Sequence, residues 1–140
     1  MKDKFFLDTN IFIYSFDSKN PKKKKISEKL VSQALSTGAG VISWQVVQEF
    51  LNAAQKKFAI PLKTNDCKVY LTEVLSPLCV VFPNSDLYKR ALEIHEKTQF
   101  SYYDSLIVTS ALEAGCEVLY SEDMQSGRLI DGLKIKNPFL

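Results

Sequence analysis

The stretch Phe5-Phe6-Leu7-Asp8-Thr9-Asn10-Ile11-Phe12 sets three apolar side chains directly in front of an acid. A short apolar run without polar alternation predicts a strand buried on both faces. A short helical piece follows from Asn10. A strand that ends in a carboxylate and passes straight into a helix is the first half of a β-α unit, and the rest of the chain repeats that alternation.

Pro21 stands where a first helical residue is tolerated, and Ile26, Leu30, Val31, Ala34 and Leu35 recur at helical spacing up to Ser36. Gly38-Ala39-Gly40 breaks this helix, and Val41-Ile42 predicts a second strand. Ser43 caps a helix expected to run to about Phe58, and Pro61 ends that region. A helix is expected over Thr64–Leu75, closed by Pro77, and a third strand over Cys79–Phe82. Helices over Ser85–Lys97 and Ser101–Ala114 follow, the latter stopped by Gly115. Val118-Leu119-Tyr120 predicts a fourth strand and Leu133–Ile135 a fifth. Strands alternating with helices make an α/β fold, a mostly parallel sheet with helices on both faces. Such sheets place their sites outside the carboxyl ends of the strands.

The bulk properties narrow the function. With 140 residues the chain fits one domain over 1–140 and can bury a core without disulfides. A net charge of +2 excludes a strongly basic surface, so contact with nucleic acid has to come from local patches. Cys67, Cys79 and Cys116 are odd in number and form no metal-binding pair. Asp8 interrupts the only apolar stretch near the N-terminus, and no run reaches membrane-spanning length. The expectation is a soluble, cytoplasmic protein with no membrane partner.

Acids stand in the places the fold rule singles out. Asp8 ends the first strand, and Ser121-Glu122-Asp123 ends the fourth, so parallel strands would bring Asp8 and Asp123 to one sheet edge. Taken singly, each reads as a cap of the following turn. Asp104 sits in a first helical turn with apolar Ile107 and Val108 three and four positions on, where an unpaired carboxylate is costly. Three residues after Ser101, it also reads as part of a capping box. Glu49 shares a polar helix face with Gln45, Gln48 and Asn52. Oxygen donors without histidine or thiolate suit a hard cation such as Mg²⁺ or Mn²⁺. Such a site acts on a phosphodiester by polarising the attacking and leaving oxygens.

The segments Phe6-Leu-Asp-Thr-Asn-Ile-Phe12, Gln48-Glu-Phe-Leu51, Tyr103-Asp-Ser-Leu-Ile107 and Tyr120-Ser-Glu-Asp-Met124 resemble, in order, the four motifs of PIN-domain nucleases. The arrangement is similar to the VapC-type toxins of toxin–antitoxin pairs, over essentially the whole chain. The resemblance implies a sheet of about five strands, Asp8, Glu49, Asp104 and Asp123 as the catalytic, metal-holding acids, and Asn10 and Ser121 as supporting groups. Glu122 would be an extra acid or merely solvated. Ser121 stands where the family often has Thr, and the hydroxyl is kept. Also implied are an RNA substrate, Mg²⁺ (or Mn²⁺), a homodimer and an antitoxin partner.

Further residues are candidates for RNA contact. Lys22, Lys23, Lys24 and Lys25 fall in the first turns of a helix, where positive charge opposes the dipole. RNA phosphates, or Asp17 or Glu28, would offset that cost. Arg128, and more weakly Lys56, Lys57 and Arg90, are candidates of the same kind. Tyr14, Trp44, Phe50, Tyr102 and Tyr103 can stack on bases or serve the core. His95 reads as exposed and without a second histidine to form a zinc site. The expected activity is metal-dependent endonucleolytic cleavage of RNA. The alternatives are a catalytically silent PIN-like binding module, and a phosphotransfer domain with Asp8 as acceptor. The second Asp that phosphotransfer domains place two residues on is here Asn10.

Overall fold

A computed structural model describes residues 3–140. The strands are β1 (Phe5–Leu7), β2 (Gly40–Ser43), β3 (Cys79–Val81), β4 (Val118–Tyr120), β5 (Leu129–Ile130) and β6 (Leu133–Lys136). The helices are α1 (Thr9–Tyr14), α2 (Pro21–Thr37), α3 (Trp44–Lys56), α4 (Thr64–Tyr70), α5 (Ser76–Leu78), α6 (Ser85–Thr98) and α7 (Tyr102–Glu113). The sheet order is β3-β2-β1-β4-β6-β5. All pairings are parallel except β5 with β6.

Phe6 and Leu7 point to opposite faces of β1, and both are 0 % exposed. The sheet is therefore covered on both sides, as the unalternating Phe5-Phe6-Leu7 run requires. α3 packs on β2 and β3, α7 on β2 and β4, and α6 on α7. α7 is buried continuously from Ser105 to Ala111, so no polar face of it remains in that stretch.

The order of strands also creates the site. From β1 the chain moves outward to β2 and β3, then returns to β4 on the other side of β1. The switch point lies between β1 and β4, and a crevice opens there at the carboxyl ends. Leu7 pairs with Tyr120, so the next residues along, Asp8 and Ser121, lie side by side.

Two elements differ from the sequence reading. The helix expected over Thr64–Leu75 runs on to Leu78 as α4, a π-helical turn over Leu71–Leu75, and α5. Pro77 is the second residue of α5 instead of closing the region. Proline has no N–H to give the carbonyl four residues back and crowds it, and the widened turn comes immediately before it. The sheet has six strands, the additional one being β5. Ile130 pairs with Leu133 across Asp131-Gly132, and both turn residues have positive φ, 48° and 90°. That is the two-residue hairpin turn that Asp-Gly favours.

Candidate active site

Asp8 follows β1 and caps α1, its Oδ1 accepting from the Thr9 N–H at 2.7 Å. Its Oδ2 accepts from the Ser121 hydroxyl at 2.7 Å. The carboxylate is thereby fixed at the switch point, 6 % exposed. Burial pushes it up to about 7; the Ser121 and Thr9 hydrogen bonds oppose the rise, and the charges of Glu49 and Asp123 add to it.

The other acids converge from three elements. Glu49 projects from α3 and accepts from the Thr9 hydroxyl at 2.6 Å. Asp123, two residues past Ser121, accepts from the Asn10 amide at 3.1 Å. Asp104 enters in the first turn of α7, whose N-cap Ser101 accepts from the Asp104 N–H at 3.1 Å. The cap and the cleft use different atoms of Asp104, backbone and carboxylate, so the two sequence readings coexist. Burial holds the Asp104 carboxyl above its usual range; hydrogen bonding with Ser101 opposes this, and the Asp123 charge adds to it.

Asp8, Glu49, Asp104 and Asp123 line one cleft of about 450 Å³, with Thr9, Asn10, Ile13, Gln45, Asn52, Ala53, Lys57, Tyr103 and Ile107. The donors are oxygens, which suits a hard divalent cation. Asn10 Oδ1 is buried there with no hydrogen-bond partner, so one oxygen stands open beside Asp123. Among the described residues no three acids stand close enough to ligate a single ion together. Mg²⁺ takes one or two carboxylates directly and keeps several waters, and a spread set of acids fits that habit. Among the described residues Lys57 alone brings positive charge to the cleft lining, and the repulsion of Asp8 by Glu49 and Asp123 is what a cation would relieve.

The remaining candidates lie elsewhere. Glu122 is half-buried and does not line the cleft. It pairs with Lys23 at 2.5 Å and accepts from the Tyr14 hydroxyl at 2.5 Å. Burial would raise the Glu122 carboxyl, but the Lys23 and Tyr14 hydrogen bonds outweigh burial and hold it below its usual range. Lys23 also lies 4.6 Å from the Tyr14 ring centre, so Glu122 offsets the positive start of α2. Lys22, Lys24 and Lys25 do not line the cleft. Arg128 stacks over Phe100 at 4.6 Å and donates to the Thr98 carbonyl at 3.3 Å, which ties it to the end of α6. Phe50 is fully buried against Phe12, Phe58 and Tyr70, so it belongs to the core. His95 is exposed, its Nδ1 facing the Phe100 carbonyl.

Sequence reasoning missed Thr9, the hinge of the cluster, whose N–H serves Asp8 while its hydroxyl serves Glu49. The signal was its place between Asp8 and Asn10.

The fold and the site define an α/β domain with an acid-lined cleft at the switch point of a mostly parallel sheet. The chain belongs to the PIN-domain family, whose model matches residues 5–128. No curated protein sequence matches it significantly. Among solved structures it is similar to a toxin–antitoxin complex from Klebsiella pneumoniae, with 20% identity, a TM-score of 0.66, and coverage of 96% of this chain and 98% of that one. DNA-bound VapBC from Salmonella typhimurium is alike at 20% identity and TM-score 0.66, covering 97% and 98%. The sarcin–ricin-loop-cleaving toxin VapC20 of Mycobacterium tuberculosis follows at 17% identity and TM-score 0.60, covering 86% and 90%. At these identities the likeness establishes the fold.

Proposed function

We propose that this chain is a Mg²⁺- or Mn²⁺-dependent endoribonuclease and the toxin component of a toxin–antitoxin pair. The observation that carries the reading is the gathering of Asp8, Glu49, Asp104 and Asp123 on one cleft, with Asp8 buried at a cost that a cation repays. In this reading Asp8, Glu49, Asp104 and Asp123 form the ion's site, one or two of them holding it directly and the others through its waters, and Asn10 and Ser121 support them. A bound divalent ion supplies Lewis acidity at the phosphodiester oxygens. The chain's own residues set the geometry. Ser121 and the Thr9 N–H fix both oxygens of Asp8, Thr9 Oγ1 fixes Glu49, and Asn10 fixes Asp123. Fixed carboxylates need little reorganisation as charge develops on the phosphate.

Solved neighbours that are toxin–antitoxin complexes, and one that cleaves the sarcin–ricin loop, support an antitoxin partner and an RNA substrate. A homodimer, a cytoplasmic location and one PIN domain over the whole chain complete the proposal. Among the described residues no helix is long and apolar enough to cross a membrane.

The test is incubation of the purified chain with total RNA in Mg²⁺, Mn²⁺ or EDTA, beside Asp8→Asn and Asp104→Asn. Discrete cleavage is expected only with metal, with at least about a hundredfold loss in either variant while both stay folded. Cleavage surviving EDTA and both substitutions sinks the proposal.

A further inference from the structure

Beyond the acids, the cleft has a second, non-acidic part. Gln45, Glu49, Asn52 and Lys57 line it from α3 and its C-cap. Gln45, Glu49 and Asn52, separated by four and three residues, make one stripe along the helix, and Lys57 reaches the same cleft from the C-cap, off that stripe. Glu49 belongs to the acid cluster, and Lys57 lies about 12 Å further along the axis at 1.5 Å per residue. Tyr103, in the first turn of α7, also lines the cleft and is 67 % exposed although aromatic. Its ring is met edge-on by Tyr102 at 6.0 Å, which limits its freedom.

Gln45 is only 5 % exposed. Its Nε2 donates to the Tyr103 carbonyl at 3.2 Å, which fixes the amide's orientation because a carbonyl can only accept. Gln45 Oε1 is then left buried with no partner. A buried acceptor without a donor is costly, and here it belongs to a side chain lining the cleft. The helix dipole alone accounts for a lysine at the end of α3. It does not account for an orphaned acceptor and an exposed aromatic ring on the same cleft.

We infer that Gln45, Lys57 and Tyr103 form a nucleotide subsite beside the acids. Tyr103 stacks on an unpaired base, Lys57 takes a backbone phosphate, and Gln45 Oε1 accepts a hydrogen bond from the same strand. The donor to Gln45 is a ribose 2′-hydroxyl or a base N–H. This inference rests on the nuclease reading and specifies how the same cleft holds single-stranded RNA. Stacking tolerates any base, a 2′-hydroxyl donor separates RNA from DNA, and an amino donor separates bases.

The experiment measures binding in EDTA, where no cut is needed, by fluorescence anisotropy. The probes are short single-stranded RNAs of mixed sequence, their all-deoxy counterparts, and A-only and U-only strands. Tyr103→Ala is expected to weaken binding about tenfold. Lys57→Ala is expected to lower the salt slope by about one and to weaken all sequences alike. Both residues are exposed, so neither substitution disturbs the core. Gln45→Met is expected to erase the preference for RNA over DNA if the donor is ribose, or any preference between A and U if it is the base. Weakening by Gln45→Met with both preferences intact removes Gln45 from the subsite. Failure of the wild-type chain to bind any probe, or wild-type affinity in both the Tyr103 and Lys57 variants, overturns the inference. Metal-dependent cleavage with unaffected variants would sink the subsite and leave the nuclease standing. Binding that follows the expected pattern without cleavage in any metal would do the reverse.

Discussion

At the scale of single residues, Asp8 and Asp123 were legible because each follows a strand at the carboxyl edge of the sheet, Asp104 because it stands above an apolar stripe, and Glu49 only through the motif it belongs to. Their partners were less so. A hydrogen bond such as Thr9 to Glu49 spans 40 residues, and no local spacing announces it. The same holds for Glu122 and Lys23, separated by 99 residues: the lysine run showed that an offsetting charge was needed, but not which one. Asp8 carries a measurable consequence. Its pKa rises from 3.8 to about 7 on folding, so the folded state prefers the protonated form. The contribution of Asp8 to stability is therefore full below about pH 4 and is lost as pH climbs to about 7. Three units correspond to about 4 kcal/mol. Urea unfolding in EDTA should show wild-type stability falling over that window. Asp8→Asn, which cannot ionise, should lack that part of the slope and gain on the wild type by several kcal/mol between pH 4 and 8. Parallel pH profiles for the two proteins would refute the assignment.

At the scale of elements, apolar runs and helical periods located the five strands and the long helices, because burial on two faces or one leaves a direct mark on sequence. The sixth strand left a mark too, in Ile130-Asp131-Gly132-Leu133, where Asp-Gly between apolar residues signals a hairpin. The π-helical turn was not legible, because Pro77 after a helical stretch reads equally as a stop, and only the structure shows the chain continuing through a widened turn. Helix-to-strand approach is the tightest constraint at this scale. A Cβ on Gly40 would overlap the Ala34 Cβ and come within 2.7 Å of the Ala34 Cα. Backbone cannot swing aside as a side-chain tip can, so α2 would have to lift from β2. Gly40→Ala is expected to cost about 3 kcal/mol, the upper range for overpacking. Gly38, at φ +70° with open space around a Cβ, is limited by conformation alone. Gly38→Ala should cost about 1 kcal/mol. Denaturant midpoints that rank the two the other way would show that α2 does not sit as closely on β2 as described.

At the scale of the whole molecule, the topology decides what the chain can do. Asp8, Glu49, Asp104 and Asp123 come from four separate segments, and only a sheet that reverses direction beside β1 gathers them on one cleft. Each segment alone looks like a capped helix or a turn. The gathering is frustrated, because burial and like charge both raise the Asp8 carboxyl. A cation binding there should therefore stabilise the fold as well as serve the reaction. Thermal unfolding with increasing Mn²⁺ should show a rising midpoint that follows RT ln(1 + [L]/Kd), about 2.7 kcal/mol at a hundred times Kd. Because the ion competes with the proton for Asp8, the gain should be larger at pH 8 than at pH 5. Asp8→Asn should flatten it, whereas Lys22→Gln, which is not part of the cleft lining, should leave it unchanged. An equal rise in wild type and Asp8→Asn would place the ion somewhere other than the cleft. A rise larger at pH 5 than at pH 8 would contradict competition at a buried carboxylate, and with it the account of why the acids were brought together.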